Sequence, residues 1–310
     1  MTTITNIDVT LRDGGYRNGF NFTRSYALRH AELTIAAGFN WVEIAYLKGS
    51  FKPETSTGLT GRGDNDYITS VAERVGAEHV ALIGHPRNIT PNDLSDAYAA
   101  GARLIRLCAN SSDPTPTWPL LEHARALGFS CAVNLTRVSN LSAHAIATLS
   151  RAAAEHGAHA IYLADSNGAL YPTDVTRAVT IAADVSDLEV GLHAHNNLGL
   201  ALANALAATS AGARWIDSSV LGMGKGAGNL IAEQWITYLD RNHDPAQFDL
   251  AAIIDLSRSL AAEVPESAPV VPAIDLLLGR YNLSVEHHSS LSRATSRDSV
   301  LVARNLALSA

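Results

Sequence analysis

The sequence predicts a closed (β/α)8 barrel, an α/β fold, carrying a C-terminal helical appendage. Eight short apolar runs alternate with longer, Ala-rich amphipathic stretches, the pattern of parallel strands joined by crossover helices. Several helical stretches stop on a glycine. The 310 residues also exceed the roughly 250 that one such barrel takes, which leaves a tail. An open doubly wound sheet is the alternative, weakened because no Gly-x-Gly-x-x-Gly follows any strand.

The predicted strands are Ile4–Leu11, Trp41–Tyr46, His79–Gly84, Arg103–Ala109, Ser130–Leu135, Ala160–Ala164, Glu189–Ala194 and Trp215–Val220. Each is short, apolar and bounded by polar, Gly or Pro punctuation, as a strand buried on both faces should be. Helices are expected over Tyr26–Ala37, Leu94–Ala100, Leu141–His156 and Leu198–Ala211. Gly38, Gly101, Gly157 and Gly212 follow them as stop residues that accept positive φ. Residues 1–244 form the expected catalytic barrel. Residues 245–310, from Pro245 onward, break the alternation: helical Asp249–Glu263, then Pro265, Pro269 and Pro272, then helical Asp275–Gly279 and Ser296–Leu308. This extension reads as a lid over the barrel or as a dimer arm.

Composition sets outer bounds. With 47% apolar and 17% charged residues there is material for one large core. A net charge of −7 argues against a nucleic-acid partner, which calls for a basic excess. Neither a basic leader followed by an apolar stretch nor an 18-residue apolar run is visible, so no membrane association is expected and the default is a soluble cytoplasmic protein. Cys108 and Cys131 read as two buried thiols.

Barrel enzymes place their chemistry at the C-terminal ends of the strands. Polar groups stand at those ends in order: Arg12-Asp13, Glu43, His85, Asn134, Asp165-Ser166-Asn167, His193-x-His195-Asn196, and the glycine loop Gly222–Asn229 with Lys225. His193 and His195, at i and i+2 on a strand, can address one point, and two neutral imidazoles suit a divalent metal. Asp13 supplies a carboxylate from strand one, which adjoins strand seven across strand eight. Arg12 is expected to diverge from its neighbour and reach a substrate carboxylate or a developing enolate oxygen. Glu43, costly to bury alone, is either paired or functional. His85 is either a ligand contact or a hydrogen-bonded structural histidine, and Asp165 either a site group or a helix cap. Asn134, Asn196 and Lys225 are candidate substrate-binding groups. The glycine loop is a phosphate nest, a loop closing over a ligand, or simply a tight loop.

Asp8-x-Thr10-Leu11-Arg12-Asp13-Gly14, His193-x-His195-Asn196-x-Leu198-Gly199 and Gly224-x-Gly226-Ala227-Gly228-Asn229 together resemble the DRE-TIM metallolyase superfamily, the HMGL-like enzymes, over about residues 4–240. Within it the chain looks most like the 4-hydroxy-2-oxovalerate aldolases. The resemblance implies Asp13, His193 and His195 as ligands of Mn²⁺ or Mg²⁺, with Asn229 able to complete the shell. It implies Arg12 as the group that stabilises an enolate and Glu43 as an acidic neighbour of the site. The implied activity is cleavage of a 4-hydroxy-2-oxo acid to pyruvate or a related 2-oxo acid plus an aldehyde, or the reverse, by a homo-oligomer. Such aldolases often partner an aldehyde dehydrogenase, though no docking surface is readable in this sequence.

One position departs from the pattern: where valerate aldolases carry a catalytic histidine three residues after the metal aspartate, this chain has Tyr16. A phenol with a reference pKa near 10 is a poor base at neutral pH. His85, a water, or a tail histidine (His287 or His288) is then the alternative proton acceptor. Two competing readings stay open: a Claisen-type synthase joining an acyl-CoA to a 2-oxo acid, and a catalytically silent, metal-stabilised binding or scaffold subunit.

Overall fold

The structure, a computed structural model, describes residues 3–50, 58–242, 247–269, 273–293 and 296–309. Eight parallel strands close into a barrel in sequence order, β1 Thr5–Asp8, β2 Trp41–Leu47, β3 Val80–Gly84, β4 Leu104–Ala109, β5 Ser130–Leu135, β6 Ala160–Asp165, β7 Glu189–Ala194 and β8 Trp215–Ser218. The crossover helices are α1 Arg24–Ala36, α2 Asn65–Val75, α3 Pro91–Ala99, α4 Thr117–Leu127, α5 Ala143–Glu155, α6 Pro172–Val185, α7 Ala201–Ser210 and α8 Ala232–Asn242. The predicted (β/α)8 architecture is therefore the observed one. Gly38, Gly101, Gly157 and Gly212 all take positive φ where the helices stop.

Among the boundaries that differ from the sequence reading, four have a clear local reason. β1 ends at Asp8 rather than Leu11 because the Asp8 carboxylate accepts the Thr10 N–H at 3.2 Å and the Thr10 hydroxyl at 2.6 Å, turning the chain. β8 ends at Ser218, and Val220 N–H instead donates to Thr10 Oγ1 at 2.9 Å, tying the two strand ends together. Helix α3 begins at Pro91, before the expected Leu94, behind a reciprocal cap between Thr90 and Asp93. Helix α7 begins at Ala201, after the expected Leu198, since Gly199 sits at φ 71° and the Asn196 side chain accepts the Ala201 N–H.

The barrel interior is layered along its axis. Ile7, Ala81, Leu104, Ala132, Ala160 and Tyr162 fill the bottom. Strand alternation then carries Arg106 and Cys108 upward on the same face of β4 as Leu104. In β2 a register shift between Glu43 and Ala45 interrupts this alternation, so Glu43 and Tyr46 both turn toward Arg12. Cys108 and Cys131 are both free and buried, as expected.

Beyond α8, helix α9 Leu250–Glu263 packs on α1 and α8, and its Ile253, Leu256 and Leu260 join the main core. The expected boundary at 244/245, with Pro245, and the later Pro272 lie outside the described residues. Residues 273–293 and 296–309, with helices α10 Ala273–Arg280 and α11 Ser296–Ser309, gather around a separate cluster of Leu278, Leu283, Leu291 and Ala303. This segment reaches the strand-end face of the barrel: Asn282 bonds Ser139, Asn140 and Asn167, and the Asp275 carbonyl accepts from Asn197.

At the other side of the fold, the fully buried Trp235 of α8 donates its indole N–H to Asn6 Oδ1 at 2.8 Å. Trp235→Ala removes that anchor and leaves a cavity. Urea unfolding is expected to show a loss of about 3–5 kcal/mol.

Candidate active site at the barrel mouth

Asp13, from the turn after β1, meets His193 and His195 of β7, and one ligand atom from each lies within 4.8 Å of the others. All three residues are buried. The two Nε2 atoms face each other at 3.3 Å. His193 Nδ1 lies 2.9 Å from Asp217 Oδ2, which fixes the Nδ1–H tautomer and leaves Nε2 with a lone pair aimed at the cluster. Burial pushes His195 down to about 4, against the opposing pull of Asp13, so its imidazole is neutral at neutral pH. Burial alone would raise the Asp13 carboxyl, but Arg12, His195, His193 and the Lys225 N–H together hold it well below the carboxylate range. One carboxylate and two imidazoles, converging in a buried site, fit a divalent cation.

The glycine loop explains how Asp13 is held. Gly228 lies at φ 88°, and a Cβ there would come within 2.0 Å of the Gly222 carbonyl, so the loop can fold back on itself only with glycine. That fold delivers two donors to Asp13 Oδ2, the Lys225 N–H at 3.1 Å and the Asn229 amide at 3.0 Å. The loop's N–H group serves the carboxylate. The Asn229 Oδ1 atom is buried with no hydrogen-bond partner, a further oxygen suited to a cation or its water.

A file of charged groups runs beneath the mouth. Arg12 donates through Nε to Glu43 Oε2 at 2.6 Å and through Nη1 to Asp13 Oδ1 at 2.5 Å. The expectation that Arg12 and Asp13 diverge is thus corrected: they lie in a turn, not on a strand, and they pair. Glu43 Oε1 lies 3.3 Å from Arg106, whose Nη2 donates to Asp217 Oδ2 at 2.7 Å, and Asp217 in turn holds His193. Burial would raise Asp217, but Arg106 and His193 bring it below its ordinary value. The Arg106 guanidinium rests 3.9 Å from the centroid of the Tyr162 ring, and a side chain at Gly191 would strike that ring at 2.6 Å.

The mouth encloses a cavity of about 50 Å³ bordered by Arg12, Asp13, Tyr16, Asn134, His193, His195 and Lys225. Ser284, Val285 and Glu286 of the C-terminal segment close its outer side. Tyr16 is pushed up to about 12 by burial, and its hydroxyl lies 3.2 Å from that of Tyr46. It is a proton donor at neutral pH.

The remaining predicted residues fall elsewhere. Glu43 is fully buried below the mouth and holds Arg12. Asn196 accepts the Ala201 N–H at the start of α7 and does not border the cavity, whereas Asn134 of β5 does. Asp165 closes the turn after β6, accepting from the Ala169 and Leu170 N–H groups; it is not a helix cap, since α6 starts at Pro172 behind Tyr171. His85 borders an adjoining cavity, held below its ordinary pKa by burial and by Arg87. His287 and His288 stand outside the cavity wall, and His288 lies 3.7 Å from Asp275. The sequence reading missed Arg106, Asp217 and Tyr46. Arg106 and Asp217 carried a usable signal, a charge inside an apolar strand run, which is the one that singled out Glu43.

The HMGL-like family model matches residues 3–260. The chain is similar to the 4-hydroxy-2-oxovalerate aldolase of Carboxydothermus hydrogenoformans, with 29% identity across 88% of this chain and 81% of that protein. It is equally similar to the oxaloacetate decarboxylase of Mycobacterium tuberculosis, 29% identical across 86% of this chain and 79% of that one. Among solved structures the HMG-CoA lyase of Bacillus subtilis superposes with a TM-score of 0.74, at 18% identity, over 89% of this chain and 97% of that chain.

Two consequences can be measured. Arg106→Met leaves Glu43 and Asp217 buried without their shared cation, and a loss of about 3–5 kcal/mol in urea unfolding is expected. The low His195 pKa makes the unfolded chain bind a proton that the folded one refuses. Stability of chelator-treated protein should therefore fall as pH drops from 6.5 toward about 4, with a shallower slope in His195→Gln.

Proposed function

The chain belongs to the HMGL-like family and is a lyase, and on that premise we propose that it breaks, or forms, the C3–C4 bond of a 2-oxo acid through the enolate of pyruvate or a close analogue. The observation that carries this reading is the Asp13–His193–His195 cluster set directly against Arg12. The two reactions named for the curated relatives share this half. Cleaving 4-hydroxy-2-oxovalerate and decarboxylating oxaloacetate each break C3–C4 and leave the same three-carbon enolate.

Asp13, His193 and His195 would hold Mn²⁺ or Mg²⁺, with Asn229 Oδ1 as a further donor. When bound, the cation supplies a Lewis acid for the 2-oxo acid oxygens. Arg12, fixed by Glu43 and Asp13, presents a permanent positive charge where the enolate oxygen develops. Asn134 and Lys225, on the cavity wall, orient the 2-oxo acid. Tyr16, protonated through the neutral range, donates a hydrogen bond rather than acting as base. His85 stays neutral and is the group assigned to take the proton of a 4-hydroxyl. Residues 273–293 serve as a lid that keeps water from the enolate.

The test is deuterium exchange at C3 of pyruvate, followed by NMR. Exchange is expected with Mn²⁺ or Mg²⁺ and should stop with chelator. Arg12→Ala should slow it by about 10²–10³-fold. His85→Asn should slow cleavage of a 4-hydroxy-2-oxo acid by at least about 10²-fold. Metal-loaded protein that exchanges nothing, or an Arg12→Ala variant that exchanges at the native rate, would refute the reading.

A further inference from the structure

Beside the metal cluster the barrel mouth holds a second and larger cavity, of about 420 Å³. Its walls come from the segments that follow β3, β4 and β5, and it shares Cys108, Thr136 and Arg137 with the smaller one. A substrate whose C1–C3 carbons sit at the cluster therefore has its remaining carbons next to this space.

The chemistry of the walls is one-sided. Arg87 and Arg137 contribute two cations, while Asn110, Ser112, Thr136 and Asn140 contribute hydroxyls and amides, and no carboxylate stands among the described lining residues. In a chain of net charge −7 this is a local reversal of sign. Arg87 has no ion pair among the described residues. Arg137 meets Glu286 of the lid at 3.6 Å, with the two side chains 48% and 74% exposed, a contact too solvated to occupy the guanidinium.

Arg137 is also strained into place. It sits at φ 54° and ψ 43°, the left-handed region where a residue with Cβ is disfavoured, and its N–H is pinned by Ser166 Oγ at 3.0 Å. A glycine would adopt this turn without penalty, so the backbone alone does not call for arginine. The side chain occupies the wall common to both cavities.

We propose that the second cavity seats the aldehyde half of the substrate, and that this half ends in an anionic group, a phosphate or a carboxylate, held by Arg87 and Arg137. The inference rests on the lyase reading above and narrows it to a substrate class. Ligand cavities of about 300–1,000 Å³ suit molecules well beyond two carbons, so an unsubstituted short aldehyde underuses the space. Planar guanidinium pairs match the oxygens of phosphate and carboxylate. In the condensing direction C3 of the 2-oxo acid loses a proton to the base, its electron pair forms the bond to the aldehyde carbon, and the aldehyde oxygen takes up a proton. No other reactant is required.

The experiment compares kcat/KM for addition of pyruvate, with Mn²⁺, to butanal, succinic semialdehyde and glycolaldehyde phosphate. An anionic aldehyde is expected to win over butanal by at least about 10-fold, and the larger of the two ratios identifies carboxylate or phosphate as the recognised group. Arg87→Met and Arg137→Met should each collapse that ratio toward one, while Arg137→Lys should retain part of it. Ratios near one in the native protein, or unchanged in both methionine variants, overturn this inference if C3 exchange of pyruvate proceeds normally. Absence of exchange overturns the lyase reading, and this inference with it.

Discussion

The arrangement of the site depends on a buried file of alternating charges: Arg12, Glu43, Arg106 and Asp217, ending on His193. None of these groups reaches bulk water to any extent, so each charge has to be met by its neighbours. Two guanidiniums and two carboxylates achieve that in sequence. The order is also directional. One end presents Arg12 to the cavity, and the other fixes the tautomer of a histidine whose second nitrogen faces Asp13. Removing a middle member would strand two partners at once, so the file behaves as a unit.

Strand β4 shows how a barrel supports such a file. Its inward residues run Leu104, Arg106, Cys108, from apolar plug to charged layer to mouth. The plug keeps water away from the charges above it, and the charged layer holds the mouth rigidly from beneath. Rigid support would serve the proposed enolate chemistry, which depends on donors already in place when charge develops. The glycine loop adds support from above, where Lys225 and Asn229 meet the far oxygen of Asp13.

The architecture and the convergence of His193 and His195 on one point were legible because both follow from short-range rules. Eight apolar runs with glycine stops define the barrel, and the i, i+2 spacing of His193 and His195 places two imidazoles on one face. Arg106 and Asp217 are separated by 111 positions and meet only because the barrel closes, so no local pattern announces their pairing. The Arg12–Asp13 contact was misread because a turn, created by Asp8 capturing Thr10, replaces the last residues of the expected strand. Asn196 looked like a site residue by position but is consumed by a helix start. The cover formed by Ser284–Glu286 depends on tertiary packing of a segment whose sequence carries no periodic signal beyond its helices.

The contact between Gly191 and the Tyr162 ring has a consequence for how this sequence can drift. The ring is the flat surface on which Arg106 lies, and it fits only because position 191 has no side chain. An alanine at 191 alone would push the aromatic group into the arginine, and a small residue at 162 alone would leave the guanidinium without its platform. Positions 162 and 191, neighbours on adjacent strands, are therefore bound in sign epistasis: a lineage leaving this pairing has to change both, and passes through an intermediate whose charge file is disturbed.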